Sequence, residues 1–193
     1  MGEPGAGRGR PRQAGTDERV AAAALALLRS GGPAAVTMEA VAAASGVAKT
    51  TIYRRHANRA ALLDAVLRGA IGVPDLPPDG SARDKLRFSL EQAWRQMSDI
   101  LGPGGLAAIV ADADPAFTEL FRDALRPYDD ALAARLRDDA RAGRVRADVD
   151  AEGVVSLLLG AWLGELVRRG RVDGAWLDRS LDLLWPVLDP ERA

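Results

Sequence analysis

The chain has 193 residues, with 26 Lys and Arg against 27 Asp and Glu, one His, no Cys and 48% apolar residues. The lack of cysteine excludes a disulfide framework, a thiolate zinc site and a cysteine nucleophile, and one histidine (His56) leaves no multi-histidine metal centre. No apolar run approaches the roughly 18 residues that span a bilayer, and the Gly/Arg-rich start is not a signal peptide, so a cytoplasmic protein without membrane contact is expected.

Residues 1–15 read as a flexible basic arm of Gly, Arg and Pro without apolar periodicity. From Thr16 the pattern turns helical: Val20, Ala24, Leu27 and Leu28 recur at i, i+4, i+7 and i+8, and Gly31-Gly32-Pro33 ends the helix. Thr37 can cap a short second helix with Met38, Val41 and Ala42 on one face. Ser45-Gly46-Val47 reads as a tight turn, and a third helix runs from about Ala48 to His56 with Ile52 facing inward. Asn58 can cap a fourth, where Leu62, Leu63, Val66, Leu67, Ala70 and Ile71 keep a period near 3.6.

The clearest break is the Pro/Gly-rich stretch 72–80. Ser81 with Asp84 then makes a capping-box-like start, and Leu86, Leu90, Ala93, Trp94, Met97 and Leu101 form a stripe behind it. A short segment from Leu106 to Asp112 leads to Asp114-Pro115, an N-cap followed by proline at the first helical position. That helix extends to Gly143, and Pro127 inside it predicts a kink. Two further helices, about Ala151–Arg169 and Gly174–Leu188, are apolar nearly all round. There is no strand alternation and no repeat, so the fold class is all-α: a three-helix head and a larger helical body, about nine helices. The expected division is a head at 16–62 and a body at 63–193.

Charge follows the same division. Residues 1–72 carry ten basic and five acidic groups, whereas residues 73–193 carry 16 and 22. A basic head on an acidic body suits a nucleic-acid-binding module joined to something else. Two short helices around a glycine turn, preceded by a longer helix, form a helix-turn-helix arrangement. Gly46 can take the positive φ that such a turn demands. The third helix then exposes Lys49, Thr50, Thr51, Tyr53, Arg54 and Arg55, a face of donors and short hydroxyls with no carboxylate of its own. Phosphates and base edges are read by such side chains.

The stretch VTMEAVAAASGVAKTTIYRRHANRAALL, within Thr16 to Leu67, resembles the DNA-binding domain of the TetR family of one-component transcriptional regulators. The elements T-x-x-x-V-A, S-G-V-x-x-x-T-I-Y and N-x-x-A-L-L follow one another without gaps. Further along, Gly143, Arg146, Asp148, Val149 and Asp150 resemble a connector in the family's all-α regulatory domain. The resemblance implies that Thr37 bonds a DNA phosphate, that Lys49, Thr51 and Tyr53 do likewise, and that Thr50 and Arg54 reach base edges. Ser45, in the turn, joins this candidate set. Tyr53 packing over the first helix and Thr51 bonding within its own helix are the structural alternatives. His56 stands where family members usually carry Trp or Phe; it fills that pocket or adds a pH-sensitive phosphate contact. Arg8, Arg10 and Arg12, in Gly-Arg-Gly-Arg-Pro-Arg, resemble an AT-hook core that follows a narrow minor groove, with a solvated tail as the alternative.

For the body, a helix-turn-helix this small reads one half-site weakly, so a homodimer on a palindromic operator is expected. Leu157, Gly160, Gly164, Trp176, Leu177, Leu181 and Leu184 on the last two helices are the candidate interface. Trp94, Met97, Leu101, Phe117, Phe121, Tyr128 and Trp162 suit an apolar ligand pocket or an ordinary core equally well. The resemblance implies a cavity for an unknown small-molecule effector among the fifth, seventh and eighth helices. It also implies that a bound ligand moves the fourth helix and changes the spacing of the recognition helices. No nucleophile–base pair, phosphate loop or metal cluster is present, so neither an enzyme nor a cofactor is expected. The function expected is repression relieved by a ligand; the alternative is a helical carrier or interaction module whose head binds no DNA.

Overall fold

The computed structural model describes residues 11–73 and 80–192, with side chains from Gly15 to Glu191. Among the described residues every regular element is helical. They are α1 (Pro11–Gly31), α2 (Met38–Ser45), α3 (Lys49–Arg55), α4 (Arg59–Ala70), α5 (Ala82–Ile100), α6 (Gly102–Val110), α7 (Pro115–Arg141), α8 (Ala151–Arg169) and α9 (Gly174–Leu188). Short 3₁₀ turns cover Pro33–Ala35 and Pro190–Arg192. No helix among them is long and apolar enough to cross a membrane.

Two starts differ from the sequence pattern. Helix α1 begins at Pro11 rather than Thr16, because proline at a first helical position loses no hydrogen bond there and its φ is already helical. Arg12 therefore belongs to the first turn of α1, while Arg8 and Arg10 lie outside the described residues. Helix α6 begins at Gly102, earlier than the apolar run from Leu106 suggests. Gly102 has φ 54°, which lets the chain leave α5 sharply, and Pro103 follows within the first turn. Elsewhere the local signals hold. Thr37 Oγ1 accepts the Ala40 N–H (3.0 Å), Asn58 Oδ1 accepts the Ala61 N–H (2.9 Å), and Ser81 and Asp84 make their reciprocal bonds. Asp150 and Asp173 cap α8 and α9. Helix α7 continues through Pro127.

The chain folds as two compact units: one boundary, between Ala70 and Ile71, lies beside the proline-rich break, and residues 98–124 return to the first unit. The first contains α1–α4, the end of α5 from Ser98, α6, and α7 as far as Ala124. Its core is Val20, Ala24 and Leu28 of α1 packed with Val36, Val41, Ile52, Leu62, Leu63 and Leu67, all at most 2% exposed. Each Val, Leu or Ile side chain among them contributes about 1.5–3 kcal/mol on burial. Helix α6 belongs here because its N-terminus lies almost against the end of α1. A Cβ on Gly104 would sit 2.6 Å from the Gly32 nitrogen and 3.0 Å from the Leu28 and Arg29 carbonyl oxygens.

The second unit contains α5 up to Met97, α7 from Leu125, α8 and α9. Leu132, Leu136, Leu158, Trp162, Leu177, Leu181 and Leu188 form its core. Two buried polar groups there are paired: the Tyr128 hydroxyl donates to the Ser89 carbonyl (2.9 Å), and Asp139 accepts from Arg135 (3.1 Å) and Arg144 (2.7 Å). Asp178 of α9 accepts from Arg87 of α5 (2.6 Å), so charge pairing ties these helices as well as apolar contact.

Candidate nucleic-acid interface

The α2–α3 pair is built around one glycine. Gly46 has φ 63°, the left-handed conformation that allows two helices to meet through a three-residue turn. Ser45 is buried in this turn, its Oγ accepting the Val47 N–H (3.2 Å) and its carbonyl accepting Arg19 Nε from α1 (3.1 Å). Its side chain is thus committed to the turn. Ile52, fully buried, fixes the inner face of α3.

Lys49, Thr50, Tyr53 and Arg54 are exposed on the outer face of α3, Thr51 is half-buried, and Thr37 is exposed at the start of α2. Tyr53 is 43% exposed. Arg54 has no hydrogen-bond or ion-pair partner among the described residues. Arg55 faces the other way, with Nη1 bonded to both carboxylate oxygens of Asp17 in α1 (2.5 and 2.6 Å). His56 ends α3, its backbone N–H donating to the Ile52 carbonyl and its ring half-buried.

Two groups that spacing did not single out shape this face. Glu39 of α2 forms an ion pair with Lys49, whose Nζ also lies 5.6 Å from the Tyr53 ring centroid. The hydrogen bond from Lys49 holds the Glu39 carboxyl below its usual range and raises the Lys49 ammonium above its own. The third helix carries no acid, but the fold brings one to it. The other group is Arg59, whose guanidinium reaches the Val36 and Pro33 carbonyls and Asp114. Ten residues separate the first pair and 55 the second, beyond any local sequence signal.

The aromatic set of the body is divided between the units. Leu101, Phe117 and Phe121 are buried in the first, where the two phenyl centroids lie 6.4 Å apart. Tyr128 and Trp162 are buried in the second, and Trp94 and Met97 are half-buried there, with Trp94 edge-on to Trp176 at 6.5 Å. The Trp162 indole N–H is buried without a hydrogen-bond partner. Among the described residues, no group of three or more His, Asp or Glu could hold a metal ion.

The last two helices need a correction. Trp176, Leu177 and Leu181 are at most 5% exposed within one chain, so they are core and present nothing to a partner. Their apolar circumference divides into an inner and an outer side. Leu157 (64%), Val167 (77%), Leu183 (81%) and Val187 (61%) lie outside, Gly160 and Gly164 are exposed, and Leu184 is half-buried. Leu157, Leu184 and Val187 also line an open groove of about 280 Å³, together with Arg146 and Asp148.

Known proteins resemble this chain in sequence and in fold. Residues 20–66 match the pattern of bacterial regulatory proteins of the tetR family, and residues 73–184 match the tetracyclin repressor-like C-terminal domain. The HTH-type transcriptional regulator YdeS of Bacillus subtilis (strain 168) is 32% identical over 114 residues, 54% of this chain and 58% of that protein. The chain thus matches a little over half the length of this curated relative. Among solved structures, Salmonella enterica GusR superposes with a TM-score of 0.69 at 20% identity, covering 94% of this chain and 98% of its own. The TetR family transcription regulator SCO0332 superposes with a TM-score of 0.63 at 27% identity, covering 90% and 98%. With a matched head, a matched body and the same helical architecture, the chain belongs to the TetR family of bacterial regulatory proteins.

Proposed function

We propose that the protein is a sequence-specific DNA-binding transcriptional regulator, working as a homodimeric repressor that a small molecule releases from its operator. The observation that carries this reading is the outer face of α3. Thr50 and Arg54, one turn apart and exposed, can enter a major groove, flanked by Lys49, Thr51 and Tyr53 at phosphate height. Thr37 adds a contact from the start of α2. Repression is the simpler outcome, because occupying a promoter requires no productive contact with polymerase.

The exposed outer side of α8 and α9 supports dimerisation. Leu157, Val167, Leu183 and Val187 form an apolar surface that a monomer would leave in water, and Gly160 and Gly164 let another helix approach closely. A second copy doubles the half-sites read and turns a weak contact into a specific one. Ligand-responsive repression is typical of the family. In the second unit, the buried Trp162 indole N–H is a donor that a polar ligand atom would satisfy.

The test is selection of genomic fragments by the purified protein at about 0.15 M salt, the condition under which specific and non-specific binding separate. Enrichment of one or a few palindromic sites is the expected result. Recovery of no sequence above background would leave the head without the role proposed for it.

A further inference from the structure

Arg59 stands at the start of α4, where an exposed cation would face solvent, yet its guanidinium is turned into the first compact unit. Nε donates to the Val36 carbonyl (3.0 Å), and Nη2 donates to both the Pro33 carbonyl (2.6 Å) and Asp114 Oδ2 (2.8 Å). The Arg59 and Asp114 side chains are only 34% and 22% exposed. Asp114 is itself held at both ends. Its Oδ1 accepts the Phe117 N–H (3.1 Å), capping α7, and Phe117 and the neighbouring Thr118 are buried. The α6–α7 turn before it contains Asp112 at φ 48°, with the Ala113 N–H returning to the Ala108 carbonyl (2.9 Å).

The other end of the clamp is equally specific. Val36 is fully buried and immediately precedes Thr37, the N-cap of α2 and a candidate phosphate contact. Holding the Val36 and Pro33 carbonyls fixes the entry of the chain into α2. A planar guanidinium can serve three acceptors lying in different directions, whereas an ammonium cannot reproduce that fork. Burial pushes the Asp114 carboxyl up, but the Arg59 and Phe117 hydrogen bonds outweigh it and keep the group below its usual range. The pair is therefore charged on both sides in the folded protein.

We propose that Arg59 and Asp114 are positioning residues for DNA recognition, tying the start of α7 to the segment that sets Thr37 and α2, and that Arg59 is not a phosphate contact. This rests on the DNA-binding reading above. A change at the start of α7 would then reach the recognition helices through one carboxylate and one guanidinium.

The test uses the full chain, the duplex it enriches from a random-sequence library, and a scrambled duplex of equal length. Asp114→Asn keeps an N-cap acceptor, and Arg59→Lys keeps the charge, so both variants stay folded, which circular dichroism at the assay temperature checks. Each is expected to weaken binding to the enriched duplex by about tenfold, the scale of one charge-assisted hydrogen bond. Affinity for the scrambled duplex and the salt slope should stay at wild-type values, and the double variant should be no weaker than the weaker single one. If Arg59 instead contacts a phosphate, Arg59→Lys binds as wild type, and Arg59→Gln loses affinity for both duplexes with a salt slope smaller by about one. That result, or an Asp114→Asn protein that binds the enriched duplex within twofold of wild type, overturns the proposal. A wild-type chain that enriches no duplex overturns the DNA-binding reading itself, a different outcome from any variant effect.

Discussion

Glu39 and Lys49 form an ion pair across the α2–α3 turn, which places a carboxylate beside the first residue of the candidate recognition helix. Both side chains are largely in water, so the pair adds little to stability, but it affects what approaches that end of α3. A phosphate must compete with Glu39 for the ammonium and approach a like charge. Glu39→Gln is therefore expected to strengthen binding to a random duplex and steepen the dependence of log K on log salt by about one unit. Fluorescence anisotropy titrated over NaCl measures both. An unchanged slope would remove Lys49 from the phosphate contacts.

Arg55 is the cation of α3 that the structure withholds from the outer face. Its two bonds to Asp17 tie α3 to α1, so Arg55→Gln should lower unfolding stability by about 0.5–1 kcal/mol, the range of a partly exposed pair. Its effect on DNA affinity should be much smaller than that of Arg54→Ala. Urea denaturation and the anisotropy assay separate the two. Equal losses of affinity would mean that Arg55 leaves Asp17 when DNA binds.

The two sides of α8 and α9 predict opposite phenotypes. Leu181 is fully buried, and Leu181→Ala should cost about 2–5 kcal/mol of stability through the cavity it leaves. Leu183→Asp, at a position 81% exposed, should leave the fold intact and separate the proposed dimer. Sedimentation at several concentrations, with a chemical unfolding curve for each variant, tests the pair. A Leu183→Asp protein that still sediments as a dimer would move the interface elsewhere.

Asp129 has a raised carboxyl pKa, caused first by burial and then by the neighbouring Asp130 charge. Folding thus favours its protonated form, and the cost of ionising it develops as pH rises above the ordinary carboxyl value of 3.8. Asp129→Asn should raise the thermal midpoint at pH 7, by an amount that shrinks as pH falls toward that value and vanishes below it. Thermal melts across that range decide it, and a gain of equal size throughout would show that charge is not the cause.

Glycine at Gly104 is required, and at Gly69 it is not. A Cβ on Gly104 meets backbone of α1 at 2.6 Å, so Gly104→Ala must push α6 away and should cost about 1–3 kcal/mol. A Cβ on Gly69 meets nothing within 4 Å inside α4, and Gly69→Ala should stabilise by about 0.5–1 kcal/mol. Midpoints of thermal unfolding compare them directly, and the same sign in both variants would contradict the packing described.

Much of this molecule is readable in one dimension. Apolar residues three and four apart identify α1, α4, α5 and α7–α9, and Thr37, Asn58, Ser81 and Asp114 mark helix starts, because caps and periodicity act over a single turn. Gly46 announces the α2–α3 turn for the same reason, and the exposed character of Lys49, Thr50, Tyr53 and Arg54 follows from the inward position of Ile52. None of this needs knowledge of where other helices lie. The start of α6 shows the limit, since the apolar run points to Leu106 whereas the bend at Gly102 depends on close packing against Arg29.

What the tertiary structure alone decided are the relations between distant residues. Glu39 meets Lys49, Asp17 takes Arg55 away from the outer face, and Asp114 meets Arg59 across 55 positions. An apolar residue on α8 or α9 likewise has no inside or outside until its neighbours are placed, which is why Leu181 and Leu183, two residues apart, have opposite surroundings. Local conformation is governed by forces that reach one turn of helix. Charge pairing and burial depend on which surfaces meet in space, and only the folded chain brings those surfaces together.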